Sequence, residues 1–383
     1  MLQASCALRV AKTGSLVLLL SCLCVPVFGQ HYTRTDLTVN MPSVSPSTTA
    51  IVDPHLVNAW GLARSSASPW WVSDNGTGVA TLYDGAGVPQ PVPPMAPMPL
   101  VVTIPKPDGS TAEHSSPTGT VFNYATGFEV APGKKAIFLF VTEDGTIAGW
   151  NPTVKPTDAI QTFPPSGKKG SGEAVYKGCT LATTKRGTFL YVANFGEGQI
   201  DVFDSSFHPV RPRENAFRDL RIPSNFAPFN IQNVGGNLVV TFAKKERGSD
   251  EESRGPGQGF VAVFDTKGRL LLDLQHGPFL NAPWGVTQAP ADFGVFSHRL
   301  LIGNFGDGTI HAFNPVSGKF EGTLLDTTGA PLTIDGLWAL GFGNNATAGS
   351  ALEMFFTAGP NDEADGLFGK ITPLAAEQRG NNE

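Results

Sequence analysis

The sequence predicts an all-β fold, a six-bladed β-propeller built of four-stranded antiparallel blades. Gly and Pro are abundant, at 44 and 31 of 383 residues. Beyond the amino-terminal segment, no stretch sustains the i, i+3, i+4, i+7 apolar spacing of a helix. Short apolar or aromatic runs instead recur around Asn, Asp or Glu with Gly, which is the pattern of a β-hairpin, and they recur at a near-constant interval.

Residues 1–29 stand apart from this pattern. Arg9 and Lys12 precede an apolar run from Leu16 through Phe28 that ends in small residues, as in a signal peptide. Cleavage after Gly29 would leave residues 30–375 as a single propeller domain and 376–383 as a disordered tail. No later run reaches the roughly 18 apolar residues a membrane helix requires, so the expectation is an exported protein, secreted or periplasmic, with no membrane span. Removing the segment takes the 27 basic residues to 25 against 33 acidic ones, a formal charge of −8 that disfavours nucleic acid as a partner. It also removes Cys6, Cys22 and Cys24. Cys179 then has no partner for an internal disulfide, and stability has to come from the core.

Six hairpins follow in order. They are Trp70 to Tyr83, Ile137 to Trp150, Phe189 to Phe203, Leu238 to Phe264, Leu300 to Phe313 and Met354 to Ile371. The best internal match sets Asn194-Phe195-Gly196-Glu197-Gly198 against Asn304-Phe305-Gly306-Asp307-Gly308, 110 residues apart, or two repeats of 55. Trp60-Gly61, Trp284-Gly285 and Trp338-Ala339 mark the run leading into three hairpins at spacings of 224 and 54 residues, four repeats of 56 and one of 54. Propellers of 4 to 8 blades stack such units into one cooperative domain, and a period near 55 implies long loops. Val88 to Ser116 and the charged insertion Lys244 to Gln258 read as surface loops, the insertion as a plain solvated loop in preference to a partner-binding or lid loop. Tyr32 to Thr38 is expected to pair with Gly369 to Pro373 and close the ring. Trp60, Trp284 and Trp338 recur at the blade period and read as interblade core. Of the adjacent pair Trp70 and Trp71, which face opposite sides of a strand, one is a candidate for exposure.

Propeller geometry gathers the turns after each second strand at one mouth of the channel. Aligning the hairpins puts Asp74, Glu143, Asn194, Phe242, Asn304 and Thr357 at equivalent places, and the links into the first strands add His55, Asn58, Asn230, Asn281 and Asp335. This rim is rich in oxygen. A Ca²⁺ held by Glu143, Asn194 and Asn304 would match the ion's need for about 6 to 8 oxygen ligands, and it could polarise a lactone carbonyl with Glu143 or Asp335 as general base. Against that, Asn and Asp before Gly are what tight turns require. The seven histidines show no zinc spacing, and no Gly-x-Ser-x-Gly elbow, phosphate loop or dinucleotide fingerprint is present.

Leu56-Val57-Asn58-Ala59-Trp60-Gly61, Thr142-Glu143-Asp144-Gly145, Ala227-Pro228-Phe229-Asn230, Asn281-Ala282-Pro283-Trp284-Gly285 and Asp335-Gly336-Leu337-Trp338 resemble a family of exported bacterial propeller proteins, some ending in a PEP-CTERM sorting signal. The resemblance spans nearly all of residues 31–371. It implies the fold and export, and it brings no catalytic residues because that family has no assigned activity. The chain departs from the anchored members in ending without a hydrophobic tail. More distantly the hairpins are similar to NHL-repeat propellers and to the gluconolactonase and regucalcin group. Fold likeness of that kind does not fix function. The favoured expectation is a non-catalytic binding or scaffold module for an extracellular or periplasmic ligand or protein. The alternative is a Ca²⁺-dependent, lactonase-like hydrolase at the channel mouth.

Overall fold

The computed structural model describes residues 31–91, 98–107, 114–164 and 174–375. The expected signal peptide and tail lie outside the described residues. Six sheets run in chain order around an axis. Blade 1 contains Ala59–Ala63, Trp70–Asp74, Val79–Tyr83 and Val101–Thr103. Blade 2 contains Pro117–Phe122, Phe138–Thr142, Ile147–Trp150 and Ile160–Phe163. Blade 3 has three described strands, Tyr176–Thr184, Gly187–Asn194 and Gln199–Phe203. Blades 4 and 5 begin with Phe226–Val234 and Pro283–Gln288, and each has four strands.

Blade 6 closes the ring as expected. Leu337–Phe342, Met354–Ala358 and Leu367–Pro373 are completed by Tyr32–Val39 from the other end of the chain, with Tyr32 opposite Pro373 and Asp36 opposite Gly369. Joining first and last strands in one sheet leaves the ring no open seam. Tyr32 is buried, and its hydroxyl donates to the Phe293 carbonyl of blade 5 at 3.0 Å.

Strand alternation explains why no blade is stable alone. In blade 2, Phe138 and Phe140 pack toward Trp71, Leu82 and Val102 of blade 1, while Leu139 and Val141 pack toward Leu181, Leu190 and Val192 of blade 3. Each sheet therefore buries both faces between neighbours. The same rule corrects the expectation for the tryptophan pair. Both are buried: Trp70 faces blade 6, where its indole N–H donates to Ala348 O, and Trp71 stacks on Phe138 of blade 2. The Pro-rich stretch 88–116, read as surface loop, also supplies the outer strand Val101–Thr103.

One irregularity is repeated in all six blades and positions the site. Where the first strand pairs with the second, the register slips, for example between Tyr176 and Gly178, and between Pro283 and Gly285. A bulge of this kind turns one side chain out of the ladder. The bulged positions carry Trp60, Thr118, Lys177, Phe229, Trp284 and Trp338. In the three tryptophan blades the residue two places earlier, Asn58, Ala282 or Gly336, has positive φ, a conformation uncommon for residues other than Gly. The aromatic members meet one another: Trp60 stacks on Trp338 with centroids 3.7 Å apart, and Trp284 and Phe229 approach Trp338 at 6.0 and 5.9 Å. A void of about 10 Å³ beside Cys179, Asn230 and Trp284 is at the limit for one water. Among the described residues, the packed aromatic side chains fill the axis at this level.

Candidate binding site at the axial mouth

The ladder register corrects the hairpin alignment. Residues facing Ala59, Pro117, Tyr176, Pro228, Pro283 and Leu337 are Asp74, Thr142, Asn194, Phe242, Asn304 and Ala358. Glu143 and Thr357 are each displaced by one residue, in opposite directions, and side chains one apart on a strand face opposite ways. Glu143 thus belongs with Phe195, Ala243 and Phe305, whose side chains reach the axial cluster. Thr357 instead bridges two blades, accepting the Ala339 N–H of blade 6 and donating to Trp60 O of blade 1.

Lys177 is the one charged residue in the bulged ring, and it is fully buried. Its ammonium lies 2.5 Å from Glu143 Oε1 and 3.6 Å from Glu251 Oε2. It also sits over the Trp60 and Phe195 rings at 5.0 and 5.8 Å. Burial by itself lowers its pKa, but Glu143, Glu252 and Glu251 together outweigh this and hold it well above the ordinary lysine range. The other Glu143 oxygen accepts from Asn75 Nδ2 at 3.0 Å. Asn58 links the cluster to blade 6, donating to Asn75 Oδ1 and to Glu363 Oε2 at 2.7 Å while accepting the Trp338 indole N–H.

The insertion 244–258 is a strap over this mouth, which corrects its reading as a plain surface loop. Lys245 pairs with Glu252 and Gln258 with Asn281 in isolated bridges. Lys245 Nζ donates to Gly196 O at 2.6 Å, and the Arg254 guanidinium lies 4.4 Å above the Phe305 ring and 3.4 Å from Glu363. The strap buries Glu252 to 7% exposure, and its Oε2 has no hydrogen-bond partner among the described residues. Burial pushes the Glu252 carboxyl up to about 7 against the pull of Lys177, with Glu251 adding repulsion. Burial raises Glu363 as well. Lys244, Glu246, Glu251, Glu252, Arg254 and Glu363 line a cavity of about 580 Å³.

The remaining sequence candidates make the following contacts. Asn194 Oδ1 accepts the Val175 and Glu197 N–H groups, and its Nδ2 donates to Glu197 and Asp201. Asn304 Oδ1 accepts the Asn281 N–H, and its Nδ2 donates to Phe279 O and Asp307. Asn230 ties blade 4 to Trp284 O, and Asn281 Oδ1 accepts the Gly255 N–H, anchoring the strap. Asp74 is wholly buried beside Thr81, and burial holds its pKa well up. His55 pairs with Asp53, Phe242 is core, and Asp335 sits exposed on the rim with the Asn361 N–H. Glu143, Asn194 and Asn304 do not fit a Ca²⁺ ion. The two amide oxygens accept backbone N–H groups of their own blades, and Lys177 already neutralises the carboxylate. Among the described residues no group of three His, Cys, Asp or Glu could hold a metal.

Lys177, the strap glutamates, Arg254 and Glu363 escaped the sequence reading, although Lys177-Gly178 occupies the place of Trp60-Gly61 and Trp284-Gly285.

Fold and site together define a six-bladed propeller with a plugged axis and a strapped, charge-rich mouth. No family model matches the sequence. The chain does belong to the family of two uncharacterized proteins of Acanthamoeba polyphaga mimivirus. One is 33% identical over 83% of this chain and 81% of the relative, and the other 31% identical over 90% and 82%. These relatives are viral, where the sequence motifs suggested bacterial exported proteins. Among solved structures the chain is similar to a virginiamycin B lyase from Staphylococcus aureus (11% identity, 90% of this chain and 100% of that one, TM-score 0.47). It is similar also to a glucose dehydrogenase (12%, 88% and 99%, TM-score 0.48). No helix among the described residues is long and apolar enough to cross a membrane.

Proposed function

We propose that this chain is an exported, non-catalytic binding propeller whose small polar ligand enters the axial mouth beneath the 244–258 strap and offers a hydroxyl or ammonium donor to Glu252. The observation that carries this reading is the buried, unpartnered Glu252 oxygen beside a cavity of about 580 Å³. Leaving a buried acceptor unsatisfied costs on the order of 1–3 kcal/mol, and a ligand donor would remove that cost on binding. The volume is in the usual range for small-molecule sites. Beneath it, Lys177 and Glu143 fix the floor through contacts that do not depend on a ligand. Export rests on the basic and apolar pattern of residues 1–29.

The test is thermal unfolding of the chain from residue 30 with glucose, glucosamine and spermidine as probes, since a ligand specific to the native state raises its apparent stability. A rise with any of them that Glu252→Gln abolishes supports the reading. A rise unchanged in that variant, or none with any probe, counts against it. For export, the mass of the secreted product expressed with its own leader should correspond to a start at Gln30 or His31, whereas retention of residues 1–29 would refute cleavage.

A further inference from the structure

We propose a second ligand site, on the face opposite the axial mouth at the flank of blades 3 and 4, that takes a small organic anion carrying two or more phosphate, sulfate or carboxylate groups. A cavity of about 680 Å³ there is lined by Lys185, Arg186, Arg211, Arg213 and Lys267, and no Asp or Glu lines it. This is a concentration of cations in a chain whose formal charge is −6.

The pairing pattern separates these residues from an ordinary solvated surface. Neighbouring arginines are spent on carboxylates: Arg221 on Asp219 and Asp273, and Arg269 on Asp265. Lys185, Arg211 and Arg213 make no ion pair or side-chain hydrogen bond that would neutralise them among the described residues, and Arg186 lies over the Phe189 ring at 5.7 Å. Several uncompensated like charges sharing one cavity repel each other, and a multivalent anion converts that repulsion into attraction.

The cavity is also built. Lys185 and Arg186 sit in the turn between Tyr176–Thr184 and Gly187–Asn194, and Lys267 in the turn before Leu270–Asp273. Arg211 and Arg213 lie on the stretch Pro209-Val210-Arg211-Pro212-Arg213, docked against blade 3 by Val210 N–H to Val202 O at 2.7 Å and by the bridge between Phe203 and Pro209. Two prolines stiffen that stretch, so less freedom is lost when the guanidinium groups engage a ligand. The floor is apolar and fixed. Phe217, at φ 58°, donates its N–H to Gly268 O and meets Tyr191 edge to face at 6.0 Å, and the Tyr191 hydroxyl is tied to Thr266 O. Arginine forks match oxyanions two hydrogen bonds at a time, and the aromatic floor would take the ligand's carbon skeleton.

Isothermal titration of the chain from residue 30 with fructose 1,6-bisphosphate, citrate and a trisulfated heparin disaccharide, at 50 and 200 mM NaCl, tests the site. Saturable one-to-one binding of at least one probe is expected, weaker at the higher salt. The probe that binds identifies the type of anionic group. Arg211→Ala with Arg213→Ala should weaken that binding at least tenfold with an unchanged melting temperature, because both side chains are exposed. Glu252→Gln should change it less than twofold, which keeps this site distinct from the axial mouth. Absence of saturable binding by all three probes, equal binding by the double variant, or loss of binding in Glu252→Gln would each overturn the proposal.

Discussion

Replacing Glu252 with Gln should stabilise the protein at alkaline pH and have little effect in acid. The Glu252 carboxyl is pushed from its ordinary 4.5 up to about 7, chiefly by burial under the strap. A raised carboxyl means that the folded chain holds the proton more tightly than the unfolded chain. Below about pH 4.5 both states are protonated and the group imposes no penalty. As pH rises toward 7 the unfolded state ionises first and the native state loses ground, and above 7 the penalty is constant. At about 1.4 kcal/mol per unit, the full effect is roughly 3 kcal/mol, and the part gained between pH 5 and pH 8 is roughly 2.5 kcal/mol. Gln keeps the shape of the protonated acid and does not titrate.

Urea unfolding of wild type and Glu252→Gln at pH 5, 6, 7 and 8 measures this directly. The difference between them should widen with pH in favour of the variant and flatten above 7. Parallel stability curves would refute the argument, because they would mean that Glu252 is solvated in the folded protein and that the strap does not close the mouth.

The two glycines at matching places in the internal repeat should respond differently to substitution. Gly198 and Gly308 have φ of 70° and 71°, but a Cβ at Gly198 meets nothing within 4 Å, whereas one at Gly308 would lie 2.0 Å from Ile334 O. Gly198→Ala is expected to cost about 1–2 kcal/mol of backbone strain and Gly308→Ala several kcal/mol more, as chemical denaturation would show; equal costs would contradict the packing at blade 5. Tyr32→Ala should cost about 3–5 kcal/mol by vacating a buried site on the closing strand, and a loss below 1 kcal/mol would mean that ring closure does not depend on that strand. Excess EDTA or millimolar Ca²⁺ should leave the calorimetric midpoint unmoved, since Lys177 already neutralises Glu143. A Ca²⁺-dependent rise lost in Glu143→Ala would reverse that conclusion.

Blade number, hairpin positions and ring closure were legible in the sequence because each follows from a local rule repeated along the chain. Gly with Asn or Asp marks the turns, alternation marks the strands, and the pairing of Tyr32–Val39 with Leu367–Pro373 needs only that the edges be matched. The site was less legible because it depends on register. The turn of blade 2 is one residue shorter than its counterparts, three residues between Thr142 and Thr146 against four between Asn194 and Gln199, so a motif alignment that counts from the glycines sets Glu143 beside Asn194 and Asn304, while the ladder gives that place to Thr142. Strap contacts are harder still to foresee. Nothing local in Glu251-Glu252-Ser253-Arg254 distinguishes a solvated charge run from one folded onto a buried lysine about 75 residues earlier. The recurring tryptophans marked the axis, and Lys177 was visible only as the exception among them.

That exception bears on function because it is an expensive way to fill a propeller axis. The equivalent places in blades 1, 4, 5 and 6 hold Trp60, Phe229, Trp284 and Trp338, all buried and packed on one another. An ion pair in such a setting recovers its desolvation cost only in part, and apolar replacements of similar volume are commonly neutral or stabilising by about 1–4 kcal/mol. Removing the cation alone is another matter. Lys177→Met should destabilise by about 3–5 kcal/mol, because Glu143 and Glu252 are left without a counter-charge. Adding Glu143→Gln and Glu252→Gln to Lys177→Met should restore stability to at least that of wild type and yet eliminate response to any ligand bound at the mouth. If the triple variant proves as unstable as Lys177→Met, the charged cluster is holding the blades together, and the axial mouth loses its claim to be a binding site.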